Sequence, residues 1–340
     1  MNIARPLITL AAAACTLVGF AHAQSKPVEL RFSYWVPATH GVAKLSFEPW
    51  AKSLQAASKG SIKVVFYPAQ QLGKATDHYD MARDGIADMT WVSPGYQAGR
   101  FPIFAATELP LMIRNGVGGS QAVDAWYRKY AATEMKDVRV CLVHLHVGSI
   151  HSRKPVQVPA DFKNMRVRSS SGTVARMMTQ LGASNVQVSS VEARDAIDKG
   201  IADGLTFPWT SLMLFNMDKA VKYHTDIPVY AGNFVWAMNK RWYERLDAEQ
   251  KKVMDDHCSN EWALKAGAPY SDFEDEGRQK LAATAGHTIF RLAPAQVAEW
   301  KKAVEPVTAR WLQDTSKGGV DAKGALEELK QELQRRDALL

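Results

Sequence analysis

His144, His146 and His151 lie within eight positions of one another. The first two share one face of a strand read over 138–147. Imidazoles at such spacing can hold a metal ion if a third or fourth ligand joins them. No acidic residue stands close to them in the chain, so strand histidines facing an interface or a cleft are the simpler reading. An exported metal-dependent enzyme is the weaker alternative. The chain contains no G-x-S-x-G, H-E-x-x-H, C-x-x-C or G-x-x-x-x-G-K, motifs that would mark a nucleophile, a metal or a phosphate cradle. Gly116-Val117-Gly118-Gly119 is glycine-rich but reads as a loop. Triads are dispersed in sequence, so motif absence lowers the catalytic reading without abolishing it. From these residues no metal or cofactor is expected, and the enzyme reading is the weaker one.

The elements that would carry such a site alternate. Residues 28–36 alternate apolar and polar, the mark of a strand. Leu45, Trp50 and Leu54 keep helical spacing up to Gly60, and 61–67 form a second strand stopped by Pro68. A helix is expected over 76–83 and a strand over 87–92. This alternation predicts an α/β chain with a mixed or parallel sheet. Gly85-Ile86-Ala87-Asp88 recurs as Gly200-Ile201-Ala202-Asp203, each time between a helix and a strand. Glycine suits the helix end and aspartate the turn, so two related α/β units are expected. Strands over 138–147 and 229–238 are candidates for crossing between them. Asp247 with Gln250 forms a capping box. The stretch after it runs to about Ala283, and Pro269 is expected to kink or break it. Val297, Trp300, Val304, Val307 and Trp311 share one face of a later helix. Leu326, Leu329 and Leu333 mark a last one.

The chain has 340 residues, 46% hydrophobic and 23% charged, enough for about two domains with real cores. A net charge of +7 with no basic run or stripe argues against nucleic acid. Arg5, the apolar run 7–20 and Ala21-His22-Ala23 read as a secretory signal cleaved after Ala23. Lipidation at Cys15 and a membrane anchor are weaker alternatives. Cleavage removes 23 of the 340 residues, leaves 317 and takes the charge from +7 to +6. Cys141 and Cys258 remain. They could pair in an oxidising compartment, but two buried free thiols are the simpler reading.

Several segments in order then resemble the solute-binding proteins of TRAP transporters, the DctP type. Lys63-Val64-Val65-Phe66-Tyr67-Pro68-Ala69-Gln70-Gln71-Leu72-Gly73 is similar to that family's strand and P-x-x-Q-L-G turn. Residues 84–89, Leu109-Pro110-Leu111, the 159–168 segment ending Arg166-Val167-Arg168, Leu181-Gly182-Ala183, Asp203-Gly204 with Pro208, and Met238-Asn239 with Trp242 match further family elements. The resemblance runs from about Glu29 to Leu333. It implies a two-lobed periplasmic-binding-protein fold, with two mixed-sheet α/β domains joined by crossing strands and a long helix spanning both lobes. The implied division is 1–23 signal peptide, 24–146 with 234–270 as one lobe, 147–233 with 271–320 as the other, and 321–340 a C-terminal helix. It also implies a small organic carboxylate as ligand, an integral-membrane permease as partner, and a periplasmic location.

The resemblance makes Arg168 the carboxylate clamp. A guanidinium fork suits a carboxylate in geometry and charge; Arg166 is its competitor, and a surface salt bridge is the plain alternative. Where relatives that hold polar ligands carry Asn, acidic or basic residues, this chain has Phe207, Ser93 and Tyr96, with Gly148 and Ser149 at a further basic position. These departures favour a monocarboxylate with an aromatic or apolar body, held by Trp35, Trp91, Phe207 and Trp209, with His40 adding a hydrogen bond. Trp91 and Phe207, placed equivalently in the two near-repeats, would clamp it from opposite sides. Trp50, Trp300 and Trp311 are expected in the core. The alternative ligand is a polar C4-dicarboxylate or a sugar acid, and a sensor in place of a permease would leave the chemistry unchanged.

Overall fold

The computed structural model describes residues 26–340. The signal segment, its cleavage point after Ala23, and Cys15 lie outside the described residues. In chain order the first half contributes β1 (Val28–Ser33), α1 (Glu48–Ala57), β2 (Ile62–Tyr67), α2 (His78–Asp84), β3 (Met89–Val92), α3 (Gly116–Glu134) and β4 (Val138–Ser152). There follow β5 (Arg166–Arg168), α4 (Gly172–Gln180), β6 (Ser184–Val186), α5 (Ala193–Asp198), β7 (Gly204–Phe207), α6 (Trp209–Leu214) and β8 (Tyr223–Asn239). The chain closes with α7 (Lys240–Glu244), α8 (Ala248–His257), α9 (Asn260–Ala282), β9 (Thr288–Arg291), α10 (Pro294–Lys317) and α11 (Ala322–Arg335).

One mixed sheet runs in the order β2-β1-β3-β8-β4-β7-β5-β6, with β9 added to β8. The two long strands pair antiparallel and make its spine. A parallel β2-β1-β3 group joins the spine through Met89–Val92 on β8, and a parallel β7-β5-β6 group joins it through Ser149–Ser152 on β4. Both expected crossings are therefore the centre of the sheet, longer than their apolar runs showed. The missed β9 pairs with Tyr223–Asp226.

The near-repeat has a physical basis. Asp88 Oδ2 accepts from the Arg31 amide and its Nε, both at 2.9 Å, and Oδ1 accepts from Nη2 at 2.9 Å. Asp203 does the same for Arg166, at 2.9, 3.0 and 2.7 Å. Each aspartate also closes the parallel ladder through its own amide, to the Arg31 and Arg166 carbonyls. The glycine three residues earlier takes the left-handed conformation in both copies (φ 77° at Gly85, 66° at Gly200). Arg166 is thus the counterpart of Arg31, a clamp on the fold. The register also corrects the expected symmetry of the aromatics. Phe32 aligns with Met89 and Val167 with Gly204, so Phe207 corresponds to Val92, and Trp91 to Thr206. A strand alternates faces with period two, so Trp91 and Phe207 are one place out of equivalence.

Three further expectations change. Gly116–Gly119 is not a loop but the first turn of α3, capped by Asn115, whose Oδ1 accepts from the Gly118 amide at 2.9 Å. The glycines permit close packing: a Cβ at 116 would come within 2.4 Å of Ser271 Oγ, and one at 118 within 2.3 Å of the Arg336 carbonyl. Pro269 does not break α9, which runs through it; the interruption falls at Ser259, whose hydroxyl caps α9. Cys141 and Cys258 are joined in a disulfide with Cα atoms 4.4 Å apart, not two free thiols, because the end of α8 is packed against β4 beside Trp50.

Trp50, Trp300 and Trp311 are buried in core clusters as expected, their indoles donating to the carbonyls of His257, Gln157 and Pro102. The Asp247–Gln250 capping box is present. Helix α9 packs on α3 and β4 along one part of its length and on the start of α6 along another. Gly267 lies against Ser120 and His144, and Gly277 against the Trp209–Thr210 backbone.

Candidate ligand-binding site

A small cavity lies where the ends of β1, β3, β5 and β7 meet the spine. One wall carries Trp35, His40, Trp91, Ser93 and Tyr96; the facing wall carries Arg168, Ser170, Ser190, Phe207 and Ser211; Phe215 lies near them, and the spine and α9 add His146, Tyr230, Phe234 and Tyr270. Seven of the eight residues expected at the site are brought together here.

Trp209 is the exception. It stands one residue past the lining Pro208, where α6 begins, and the turn carries its indole away from the cavity. The ring packs edge-on against His151 with centroids 4.9 Å apart, and Gly277 of α9 lies against the backbone of the same turn.

The aromatic wall is fixed by its own hydrogen bonds. Trp35 stacks on Trp91 with centroids 4.4 Å apart, and Phe234 covers Trp91 at 4.2 Å. Trp35 Nε1 donates to the Trp91 carbonyl at 3.1 Å, and Trp91 Nε1 donates to His144 Nε2 at 2.9 Å. Such locked rings present apolar area at little entropic cost. Two cross-strand pairs on the spine follow one rule. The Tyr230 ring lies over Gly148, its opposite number, and the His146 ring lies over Gly232, its own. A Cβ at 148 would come within 2.2 Å of the tyrosine ring, and one at 232 within 2.6 Å of the imidazole.

Arg168 is 1% exposed. Its Nε donates to the Val188 carbonyl at 3.1 Å and Nη1 to the Thr206 carbonyl at 3.2 Å, while the guanidinium carbon sits 5.4 Å from the Phe207 ring centroid. Its Nη2 is buried without a hydrogen-bond partner. Among the described residues no carboxylate forms a salt bridge with it, whereas Arg166 is paired with Asp203. A buried guanidinium without a counter-charge is costly, and its unpaired edge fits an anionic ligand. Ser190 Oγ is likewise buried and unpaired beside the cavity.

Two hydrogen bonds tie the walls together. Tyr96 Oη accepts from the Ser190 amide at 3.0 Å, and His40 pairs with Ser211 Oγ at 3.0 Å. Because His40 Nδ1 accepts from the Val42 amide, its proton is on Nε2 and it donates to Ser211. Ser211 in turn donates to Glu274 of α9. Burial pushes His40 down to about 3 and the Glu274 carboxyl up to about 7. His40 is therefore neutral at neutral pH.

The three histidines do not converge. His144 is engaged by Trp91. His151 Nε2 donates to the Phe207 carbonyl and its Nδ1 faces His224 Nδ1 at 2.8 Å. His146 alone lines the cavity. Tyr230, Phe234 and Tyr270 were missed as cavity residues. Alternation from Tyr230 to Phe234 in the strand read over 229–238 was the available signal for the first two; Tyr270 reaches the cavity only through the tertiary course of α9.

Residues 32–314 match the bacterial extracellular solute-binding protein family 7, DctP. Solved structures agree. A marine metagenome TRAP solute-binding protein specific for aromatic acid ligands, in complex with 3-hydroxybenzoate, is 33% identical with a TM-score of 0.87, covering 92% of this chain and 100% of that one. A TRAP solute-binding protein from Rhodoferax ferrireducens holding copurified benzoate is 28% identical with a TM-score of 0.87, covering 91% and 98%. One from Bordetella bronchiseptica, with bound (R)- and (S)-mandelate, is 26% identical with a TM-score of 0.85, covering 91% and 99%. The sheet, the cavity at its centre and these matches lead to one assignment: the chain belongs to the DctP family of TRAP-transporter solute-binding proteins.

Proposed function

We propose that this protein captures an organic monocarboxylate with an aromatic or apolar body in the periplasm and delivers it to an integral-membrane TRAP permease. The observation that carries the reading is the unpaired, buried edge of Arg168 in a cavity walled by rings. The carboxylate pairs with Arg168 and Ser190, and Trp35, Trp91, Phe207, Tyr230 and Phe234 enclose the body. Ser93 and Tyr96 complete the rim. Residues 24–146 with 234–270, and 147–233 with 271–320, act as lobes that close on the ligand through the Tyr96–Ser190 and His40–Ser211 bonds. Among the described residues lining the cavity, Arg168 is the one Lys or Arg, which disfavours a dicarboxylate. The aromatic acids bound by the related proteins support the same choice. Export through the segment cleaved after Ala23 places the protein where such a permease is met.

A thermal-shift panel of organic acids tests this reading. A ligand far above its dissociation constant stabilises the folded state by several kcal/mol. Benzoate-type acids are expected to raise the melting temperature. Stabilisation by succinate or a uronate, with none by aromatic acids, would reverse the assignment.

A further inference from the structure

We propose that His146 selects, among aromatic carboxylates, those carrying a hydrogen-bond donor such as a ring hydroxyl at the end away from the carboxylate. The proposal rests on the ligand reading above and adds a residue that reads the far end of the molecule.

His146 Nδ1 lies 3.2 Å from the Val147 carbonyl. A carbonyl only accepts, so Nδ1 carries the proton and Nε2 presents a lone pair. Burial pushes the ring down to about 4, so it stays neutral near pH 7. The ring lies across β8 on Gly232, and a Cβ there would come within 2.6 Å of Nε2. His146 and Gly232 both line the cavity. Among the described residues Nε2 has no hydrogen-bond partner. Phe234 and Tyr270 hold the ring in place, with centroids 5.5 and 5.7 Å away. Nε2 is thus a fixed acceptor at a largely apolar end of the cavity.

Its position relative to Arg168 fixes what it reads. Arg168 sits over Phe207, which pairs with Ser149 on β4. His146 is three residues earlier on that strand, roughly 10 Å along its backbone, with a register shift in the β4–β8 pairing between Gly148 and Ile150. A single aromatic ring with a hydrogen bond at each end bridges such a gap. The Arg168 end offers donors, and this end offers an acceptor. An unsubstituted ring would leave Nε2 desolvated and unpaired, which is the source of discrimination.

Calorimetry on the purified protein tests this with benzoate, 3-fluorobenzoate, and 3- and 4-hydroxybenzoate. One hydroxybenzoate is expected to bind about fivefold to tenfold tighter than benzoate, with no gain from fluorine, which is similar in size but cannot donate. His146→Phe should lose the hydroxyl gain, read as the ratio of hydroxybenzoate to benzoate affinity within the variant, while His146→Gln, which retains an acceptor, should recover part of that ratio. The wild-type ligand series decides the question even where a variant folds poorly. Benzoate binding with no hydroxyl gain, or a gain that survives His146→Phe, overturns the role of His146 alone. Failure of every aromatic acid to bind overturns the ligand reading and this proposal together.

Discussion

The Tyr96 hydroxyl accepts a hydrogen bond from the Ser190 amide, 94 residues away in sequence, and so bridges the two walls of the cavity at 3.0 Å. Under the proposed closure of the two walls on the ligand, this bond belongs to the closed arrangement. Tyr96→Phe leaves the Ser190 amide unpaired in that arrangement and should weaken ligand binding by about 1 kcal/mol, chiefly through faster release. Stopped-flow dissociation with an unchanged off-rate would count against a bridging role.

Gly148 gives its volume to Tyr230. Gly148→Ala puts a Cβ within 2.2 Å of that ring, and the ring is a cavity wall. The expected result is a stability loss of about 1–3 kcal/mol, read by chemical denaturation, together with weaker binding. A variant matching the wild type in both would mean that the ring shifts freely.

The disulfide predicts a thiol count and a stability effect. The denatured, unreduced mature protein should show no free thiol. Replacing Cys141 and Cys258 by serine releases a crosslink spanning 117 residues and should cost about 2–4 kcal/mol. Two titratable thiols per chain would contradict the pairing.

Acid should destabilise the fold. Burial lowers eight described histidines: to about 3 for His40, His144 and His151, about 4 for His78 and His146, about 2 for His224, and below the ordinary value for His257 and His287. Their depressed folded values mean that, below about 6.5, the unfolded chain takes up protons the folded one refuses. Burial has the opposite effect on Glu108 and Glu274, raised to about 7. These carboxyls bind protons in the folded state first, and their contribution is lost as pH rises through 7. Burial also raises Glu134 and Asp275, but the eight histidines outnumber these four carboxyls, which leaves a net loss of stability as pH falls from about 6.5 towards 4.5. Melting temperatures measured across that window at fixed ionic strength should fall; a flat or rising profile would show that the histidines are not held neutral.

Much of this was legible before any coordinates. The Gly-Ile-Ala-Asp near-repeat marked two copies of one strand–helix–strand unit, because the same aspartate-to-arginine clamp has to close each parallel ladder. Arg168 stood out through family resemblance; the structure buries it, with Nε and Nη1 on carbonyls and Nη2 unpaired. The finer geometry was not legible. Trp91 and Phe207 look equivalent when Met89-Thr90-Trp91 is set against Leu205-Thr206-Phe207, but Gly204 takes the place of Met89 in the register, so Phe207 falls one place further along its strand. Trp209 looks like a neighbour of Phe207, yet a helix starts there and turns its ring into the core. Cys141 and Cys258 meet only because α8 docks on β4, and the glycines at 116–119 serve contacts with α9 and the C-terminal segment. Each miss depends on a partner far away in the chain, which local pattern does not encode.

The central claim is that Arg168 neutralises the ligand's carboxylate, and isothermal calorimetry of Arg168→Ala with an aromatic monocarboxylate that the wild type binds tests it most directly. The variant should lose at least about 2 kcal/mol of binding free energy, about thirtyfold in affinity. A folded variant that binds within about twofold of the wild type would contradict the account.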